Sequence, residues 1–227
     1  ARHSGGHDMT SDIRHTRAVI LARPERDALE LVTRPLAPPK SDEALVRIRM
    51  AGICGTDLHI IGWNAWAAAS YAAPLPLGHE LIGEIVSCSG DTGFAPGDRV
   101  SAETHLACGE CAQCRLNRGH TCERLQTFSR LGLGAFAEFA VIPCALLRHV
   151  PDHVPDRVGA VMEPLGIGLR AAQQALAGTA APTRVLVSGC GPIGLFAVAA
   201  LRRLTRAEII AVDPSAERRA LSQRVGA

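Results

Sequence analysis

The sequence predicts a mixed α/β protein in which a β-rich body precedes the opening of a doubly wound parallel sheet. From residue 17 to about 155 the chain reads as short alternating strands separated by glycine and proline, which is typical of an all-β barrel or sandwich. After Val158, longer helix-like segments alternate with short apolar runs, which indicates parallel β-α units. A length of 227 residues accommodates one large or two small domains.

Alternation of apolar and polar residues predicts the strands of the first part. In ALVRIRM, residues 44–50, the side chains of Val46, Ile48 and Met50 face one side and the two arginines face the other. The segment is therefore predicted to be a half-buried antiparallel strand. Three further segments show a similar pattern: 81–87, 97–102 and 135–142.

The second part is predicted to contain β-α-β-α after a leading helix. The helix-like stretch covers 159–176, although Pro164 and glycines interrupt it. Four segments then follow in the order strand, helix, strand, helix: 184–189, 194–204, 208–213 and 215–227.

A doubly wound sheet has six strands, with its first strand in the middle, and only two are present here. The sequence therefore looks like the front part of a larger protein. We expect a flexible extension over 1–16, a β-rich domain over 17–165 and a partial parallel sheet over 166–227.

Composition excludes several classes of function. The formal net charge of +2, with no basic cluster, argues against a nucleic-acid partner. No stretch is long and apolar enough to cross a bilayer, and the N-terminus lacks the apolar segment of a secretion signal. Eight cysteines, four of them within fifteen residues, favour metal binding in a reducing cytoplasm over a secreted disulfide scaffold.

The cysteine cluster predicts a structural zinc site. Its spacing is C-x2-C-x2-C-x7-C, and it consists of Cys108, Cys111, Cys114 and Cys122. Four thiolates complete a tetrahedral zinc shell and leave no position for a substrate. The spacing superficially fits iron–sulfur ligation too, but no proline follows the last cysteine. Reduced or disulfide-paired thiols are the remaining alternative.

A second set of metal-ligand residue types is scattered along the chain: Cys54, His79 with Glu80, and Glu163. A catalytic zinc usually takes ligands from distant loops and keeps one position open. Spacing alone does not show that these residues meet. Taken singly, a cysteine is more often a small buried residue, and a histidine or glutamate is more often a solvated polar group.

The segment VLVSGCGPIG predicts a dinucleotide site. Gly189, Gly191 and Gly194 form G-x-G-x-x-G between a predicted strand and a predicted helix, where a pyrophosphate can approach the helix N-terminus. Asp213 ends the next strand, and its carboxylate can accept hydrogen bonds from ribose hydroxyls, which favours NAD over NADP. Arg218 and Arg219 weaken that preference, because arginine accommodates a 2′-phosphate.

Seven motifs together resemble the zinc-dependent medium-chain alcohol and polyol dehydrogenases. They occur in the order seen in that family: AGICGTDLH, PLPLGHELIGEIV, GFAPGDRV, the four-cysteine segment, GAFAEFAVIP, MEPLG and VLVSGCGPIG. The resemblance covers about residues 17–227. Within the family, the segment CGTDLHIIGWNAW is most similar to the L-threonine 3-dehydrogenase branch, whereas MEPLG is also seen in polyol dehydrogenases.

The resemblance implies a GroES-like catalytic domain, a Rossmann domain and an active site between them. It implies that Cys54, His79 and Glu80 bind a catalytic zinc and that Glu163 approaches or polarises the same metal. The division of roles between the two glutamates stays open. A second, structural zinc would occupy the four-cysteine segment.

The resemblance also assigns roles to the remaining site residues. Thr56 and His59 would pass the substrate hydroxyl proton towards solvent, and Asp57 would orient a zinc-bound imidazole. Ile193, Asp213 and Arg218 would contact NAD. His105 would contact the substrate or stabilise its loop.

The implied activity is hydride transfer from a secondary alcohol to NAD, with L-threonine converted to 2-amino-3-oxobutanoate. The alternatives are a polyol-, sorbitol- or butanediol-type dehydrogenase, or an inactive zinc-binding fragment. The family also implies a small-molecule alcohol as partner and a homo-oligomer, a dimer or tetramer, for the full-length protein.

Overall fold

The structure is a computed structural model that describes residues 13–178 and 182–227. It divides into two compact units, the first ending at Val161 and the second comprising Met162–Ala227. The sequence pattern predicts this boundary after Leu165. Among the described residues, no helix is long and apolar enough to span a bilayer.

Ten strands belong to the described part of the first unit. In chain order they are His15–Leu21 (β1), Leu29–Pro35 (β2), Glu43–Gly52 (β3), Leu75–Pro76 (β4), Glu80–Cys88 (β5), Arg99–Ala102 (β6), His105–Leu106 (β7), Gln126–Thr127 (β8), Phe139–Pro143 (β9) and Leu147–His149 (β10). Its α-helices are Gly55–Ile61 (α1), Ala65–Ser70 (α2), Ala112–Arg115 (α3) and Asp156–Gly159 (α4). Three short 3₁₀ turns accompany them: Gly119–Thr121, Ser129–Leu131 and Cys144–Leu146.

These strands form three antiparallel sheets. A five-stranded sheet has the order β10-β6-β5-β3-β9, a three-stranded sheet the order β2-β1-β4, and β7 pairs with β8. The main core fills one side of the five-stranded sheet, where Val46, Ile85 and Ile142 are fully buried. Each such side chain contributes about 1.5–3 kcal/mol on burial. A second cluster, centred on Leu21, Ile60 and Leu77, packs α1 and α2 against β1 and β4.

Three details of the first unit differ from the sequence-based expectation. The register shifts between Ile48 and Met50, so Met50 is exposed although it was predicted on the buried face. The strand predicted over 135–142 begins only at Phe139. β1 already begins at His15, inside the predicted extension, and buried Thr16 accepts a hydrogen bond from the Phe139 amide.

The second unit contains a parallel β-α arrangement, as predicted. Its elements are Met162–Leu176 (α5), Arg184–Ser188 (β11), Pro192–Leu204 (α6), Glu208–Val212 (β12) and Ala216–Val225 (α7). β11 and β12 pair in parallel, from Arg184 opposite Glu208 to Ser188 opposite Val212. α5 begins at Met162 rather than at 159, because 156–159 form the separate helix α4. Ala172, Val198 and Leu201 are buried at the centre of this unit.

Candidate metal centres and dinucleotide turn

Cys54 lies where the chain leaves β3 and enters α1. The residue is the N-cap of α1, with extended backbone angles. Asp57, in the first turn of that helix, accepts a hydrogen bond from the Cys54 amide at 2.9 Å. An acidic residue at this position also interacts favourably with the helix N-terminus. Local capping therefore fixes the direction in which the Cys54 side chain leaves the backbone.

The structure brings Cys54, His79 and Glu80 together. One ligand atom from each lies within 4.8 Å of the others. His79 directly precedes β5 and Glu80 is its first residue; both follow Gly78, whose amide donates to Asp57 Oδ1 at 3.0 Å. Asp57 is 1% exposed, so the same buried carboxylate fixes both segments that carry the ligands.

The chemistry of this donor set fits a cation. Burial lowers the pKa of His79, but hydrogen bonds and charge from Asp57 and Cys54 outweigh that effect and raise it to about 9. The set of three side chains therefore favours a positive charge between them, which a divalent metal would supply. A thiolate, an imidazole and a carboxylate are ligand types that zinc accepts, and three protein ligands leave a fourth position open.

A cavity of about 270 Å³ lies beside this group within the first unit. Thr56 and His79 form part of its wall, so the candidate proton acceptor and a candidate ligand face the same space. The rest of the wall is uncharged or aromatic: Trp66, Tyr71, Thr104, His105, Thr127, Phe128 and Ser129. Such a cavity suits a small polar molecule.

The four-cysteine segment has the geometry of a closed tetrahedral site. The sulfur of Cys111 lies 3.5 Å from that of Cys114 and 3.9 Å from that of Cys122, and Cys108 lies 3.9 Å from Cys114. Zinc–sulfur bonds of about 2.3 Å in a tetrahedron place sulfurs roughly 3.8 Å apart. All four cysteines are free thiols, at distances that exclude disulfide pairing as the structure stands. The sulfurs thus fit a structural zinc.

Hydrogen-bond donors contact two of these sulfurs. The amides of Cys108 and Arg124 each donate to Cys122 Sγ at 3.3 Å, and the Arg124 guanidinium donates to Cys108 Sγ at 3.5 Å. Hydrogen bonds from the amides of Glu110 and Cys111 lower the pKa of the Cys108 thiol. Donors of this kind stabilise the thiolate form that binds metal.

The glycine turn of the second unit has three distinct local geometries. Gly189 has a φ of +92°, a conformation that favours glycine. A Cβ on Gly194 would lie 1.9 Å from the Gly189 carbonyl oxygen, whereas one on Gly191 would meet nothing within 4 Å. The third glycine is thus required for packing, and the second leaves open space at the N-terminus of α6.

Asp213 connects the two β-α units. Its Oδ2 accepts from the Cys190 amide and its Oδ1 from the Ser215 amide, both at 2.8 Å. These bonds lower the pKa of its carboxyl group, with smaller contributions from Arg218 and Arg219. Its side chain is 4% exposed, and Arg218 Nη1 lies 3.9 Å from Oδ2. Asp213 therefore anchors the glycine turn, a role that the sequence analysis did not assign.

The remaining predicted residues occupy separate positions. Glu163 lies in the first turn of α5, in the second unit, and its part in the metal centre stays a prediction. Ile193 is exposed near the start of α6. His59 lies in the last turn of α1.

Two residues that contact predicted site residues were missed by sequence reasoning. Gly52 lies against the Glu80 carboxylate, and Asn64 contacts His59. A signal for Asn64 exists, since an asparagine before an alanine-rich run is a typical N-cap.

Comparisons with known proteins agree with these features. Residues 40–152 match the alcohol dehydrogenase GroES-like domain family. An L-threonine 3-dehydrogenase of Pyrococcus furiosus is 38% identical over 211 residues, which cover 92% of this chain and 60% of that protein. The chain thus spans about three-fifths of the length of such curated relatives.

Solved structures show the same similarity. Galactitol-1-phosphate dehydrogenase from Escherichia coli superimposes with a TM-score of 0.82 at 29% identity, over 93% of this chain and 59% of that one. A short chain alcohol dehydrogenase from Escherichia coli, complexed with NADH, gives a TM-score of 0.80 at 28% identity, over 94% and 61%. Sequence, fold and the two metal-ligand groups together show that this chain belongs to the zinc-dependent medium-chain alcohol dehydrogenase family.

Proposed function

We propose that the protein containing this chain is a zinc-dependent oxidoreductase that transfers hydride from a secondary alcohol to NAD. L-threonine, oxidised to 2-amino-3-oxobutanoate, is the preferred substrate. The proposal rests on the proximity of Cys54, His79 and Glu80 to one another, beside a cavity that Thr56 also lines. The similarity to L-threonine 3-dehydrogenases supports the choice of substrate.

Two zinc ions and one NAD would bind to distinct parts of the chain. Cys54, His79 and Glu80 would hold the catalytic zinc, with Glu163 as a further polarising group. Cys108, Cys111, Cys114 and Cys122 would hold the structural zinc. NAD would lie on the turn and its flanking residues: Gly189, Gly191, Ile193, Gly194, Asp213 and Arg218.

When bound, zinc lowers the pKa of a coordinated alcohol and NAD accepts a hydride. Residues of the chain then transfer the proton. Thr56 accepts a hydrogen bond from the substrate hydroxyl and passes the proton towards His59. Asp57 keeps the His79 ring in place through its buried carboxylate. The aromatic rings of Trp66 and Tyr71 form part of the cavity wall.

NADH formation by the zinc-loaded protein tests this proposal. We expect turnover of L-threonine to exceed that of sorbitol, butanediol and simple alcohols. Thr56→Val removes the hydroxyl at nearly constant volume and should lower kcat by about 10²–10⁴-fold. Thr121→Val, on the exposed part of the cysteine segment, is the matched control and should leave kcat unchanged.

Different results would contradict different parts of the proposal. Turnover of polyols without turnover of threonine would overturn the substrate. No NADH from any of the alcohols, with zinc and NAD bound, would overturn hydride transfer. We also propose that the full-length protein is cytoplasmic and forms a homodimer or homotetramer. Light scattering would measure this oligomeric state.

A further inference from the structure

Asn64 lies between the two tryptophans of the segment 54–66 and makes two side-chain hydrogen bonds at once. Its Oδ1 accepts from the Ala67 amide at 2.9 Å, as the N-cap of α2. Its Nδ2 lies 2.9 Å from Nδ1 of His59. Asn64 therefore connects the start of α2 to the ring of the candidate proton-path histidine.

The N-cap bond decides which end of the amide faces His59. The Ala67 amide can only donate, so its partner must be the oxygen Oδ1. Nδ2 then faces the ring, and an NH₂ group can only donate. Nδ1 of His59 is therefore the acceptor, and in the neutral ring the proton lies on Nε2.

Neighbouring residues hold this arrangement in place. Trp66 contacts the His59 ring edge-on, with centroids 6.2 Å apart, and Tyr71 contacts Trp66 in the same way at 5.5 Å. Trp63 has a φ of +42°, a left-handed conformation that is strained for a bulky residue. The Trp63 side chain packs against the buried cluster that contains Ile60, which offsets that strain and keeps the turn before Asn64.

We propose that Asn64 is a positioning residue that holds His59 with Nδ1 as acceptor and Nε2–H directed away from the amide. In that state Nε2 of His59 can act only as a hydrogen-bond donor. While the Asn64 bond lasts, neither ring nitrogen has a lone pair available for a proton. Asn64 thus controls whether the proton path can end on His59. The consequence for the path rests on the proposed function, whereas the arrangement of hydrogens does not.

Two substitutions keep the N-cap of α2 and change the partner of His59. Asn64→Asp presents a carboxylate oxygen to Nδ1, and Asn64→Ser is too short to reach the ring. The probe is ¹⁵N NMR of imidazole-labelled, zinc-loaded protein, with His59→Gln used to assign the His59 signals. We expect Nε2 to carry the proton in the wild type and Nδ1 in Asn64→Asp, while Asn64→Ser shows both tautomers. A proton on Nδ1 in the wild type, or an unchanged tautomer in Asn64→Asp, would overturn the proposal.

Turnover gives a second, independent readout. Asn64→Asp frees the Nε2 lone pair that carries the proton in the wild type, so kcat should exceed that of the wild type by on the order of tenfold, with the KM for alcohol similar in both. Equal kcat values in Asn64→Asp and the wild type would overturn the control of the proton path by Asn64. Absence of NADH formation by the wild type would overturn the proposed function, while the tautomer measurement still decides the role of Asn64.

Discussion

Gly52 shows how one missing side chain positions a candidate metal ligand. A Cβ at this residue would lie 2.1 Å from Oε2 of Glu80 and 3.1 Å from its Cβ. Glu80 is 5% exposed, so its carboxylate has little space to move away. The end of β3 therefore fixes where β5 presents its first carboxylate.

Gly52→Ala should consequently weaken metal binding at Cys54, His79 and Glu80. We expect affinity to fall about 10–100-fold, as for other residues that orient ligands. Cobalt titration followed by absorption spectroscopy measures this. The matched control is Gly55→Ala, since a Cβ there meets nothing within 4 Å. Equal affinities in the two variants would contradict the steric argument.

Thr127 offers a second test at the scale of one residue. Among the described residues, its Oγ1 is a buried hydroxyl without a hydrogen-bond partner. Such a group costs about 1–3 kcal/mol, so Thr127→Val should raise the free energy of unfolding by about 1 kcal/mol. Urea denaturation measures the change. Thr121→Val is expected to have the opposite sign, because it removes the 2.9 Å bond to the Arg118 carbonyl. A loss of stability for Thr127→Val would mean that the hydroxyl has a partner in solution.

Strand β11, the glycine turn and helix α6 pack together at the start of the parallel sheet. The close approach of Gly194 to Gly189 lets α6 begin immediately after the turn. Asp213 then holds the turn from the end of β12 through the Cys190 amide. Gly194 is therefore needed for packing, whereas Gly191 leaves space for a phosphate.

Substitutions at these glycines should separate packing from binding. Gly194→Ala overlaps the Gly189 carbonyl and should lower the free energy of unfolding by roughly 1–3 kcal/mol. Gly191→Ala, at an ordinary φ of −70°, should preserve folding and weaken NAD binding. Denaturation and calorimetry with NAD distinguish the two. If both variants bind NAD as the wild type does, the turn is not the pyrophosphate site.

The cysteine segment, residues 108–122, presents four sulfurs to one possible metal position. Cys111→Ser removes one of its four sulfurs, so zinc content per chain should fall by one. Elemental analysis of purified protein provides the count. Cys88→Ser is the control, because Cys88 belongs to β5 and bonds to the Phe94 carbonyl instead. An unchanged zinc content in Cys111→Ser would exclude the structural site.

Across the whole molecule, both described metal-ligand groups belong to the first unit. Removal of zinc with a chelator should therefore increase amide exchange there, most strongly over 108–122, because bound metal contributes to folding. Exchange in 162–227 should change little. Hydrogen-exchange mass spectrometry resolves the two units. Uniform deprotection of both would mean that their stabilities are not separable.

The ordered motifs predicted the fold class because each reflects the conformational preferences of residues that are neighbours in sequence. Alternation predicted β3 and β5, and the glycine triplet predicted the turn between β11 and α6. The exposure of Met50 was not predictable, since the register shift in β3 depends on its pairing with β5. The strand at Phe139 was predicted too early because the preceding residues alternate in sequence without forming a ladder.

The sequence by itself determined the fold class, the family and the residue types that can bind zinc and NAD, because those follow from local spacing and ordered motifs. Only the tertiary structure decided that Cys54, His79 and Glu80 meet, since they lie on segments joined through the buried carboxylate of Asp57. It also decided that the Asn64 side chain faces the His59 ring, because that contact depends on a side chain that caps a different helix. Distances between atoms remote in sequence arise from packing, which spacing along the chain does not encode.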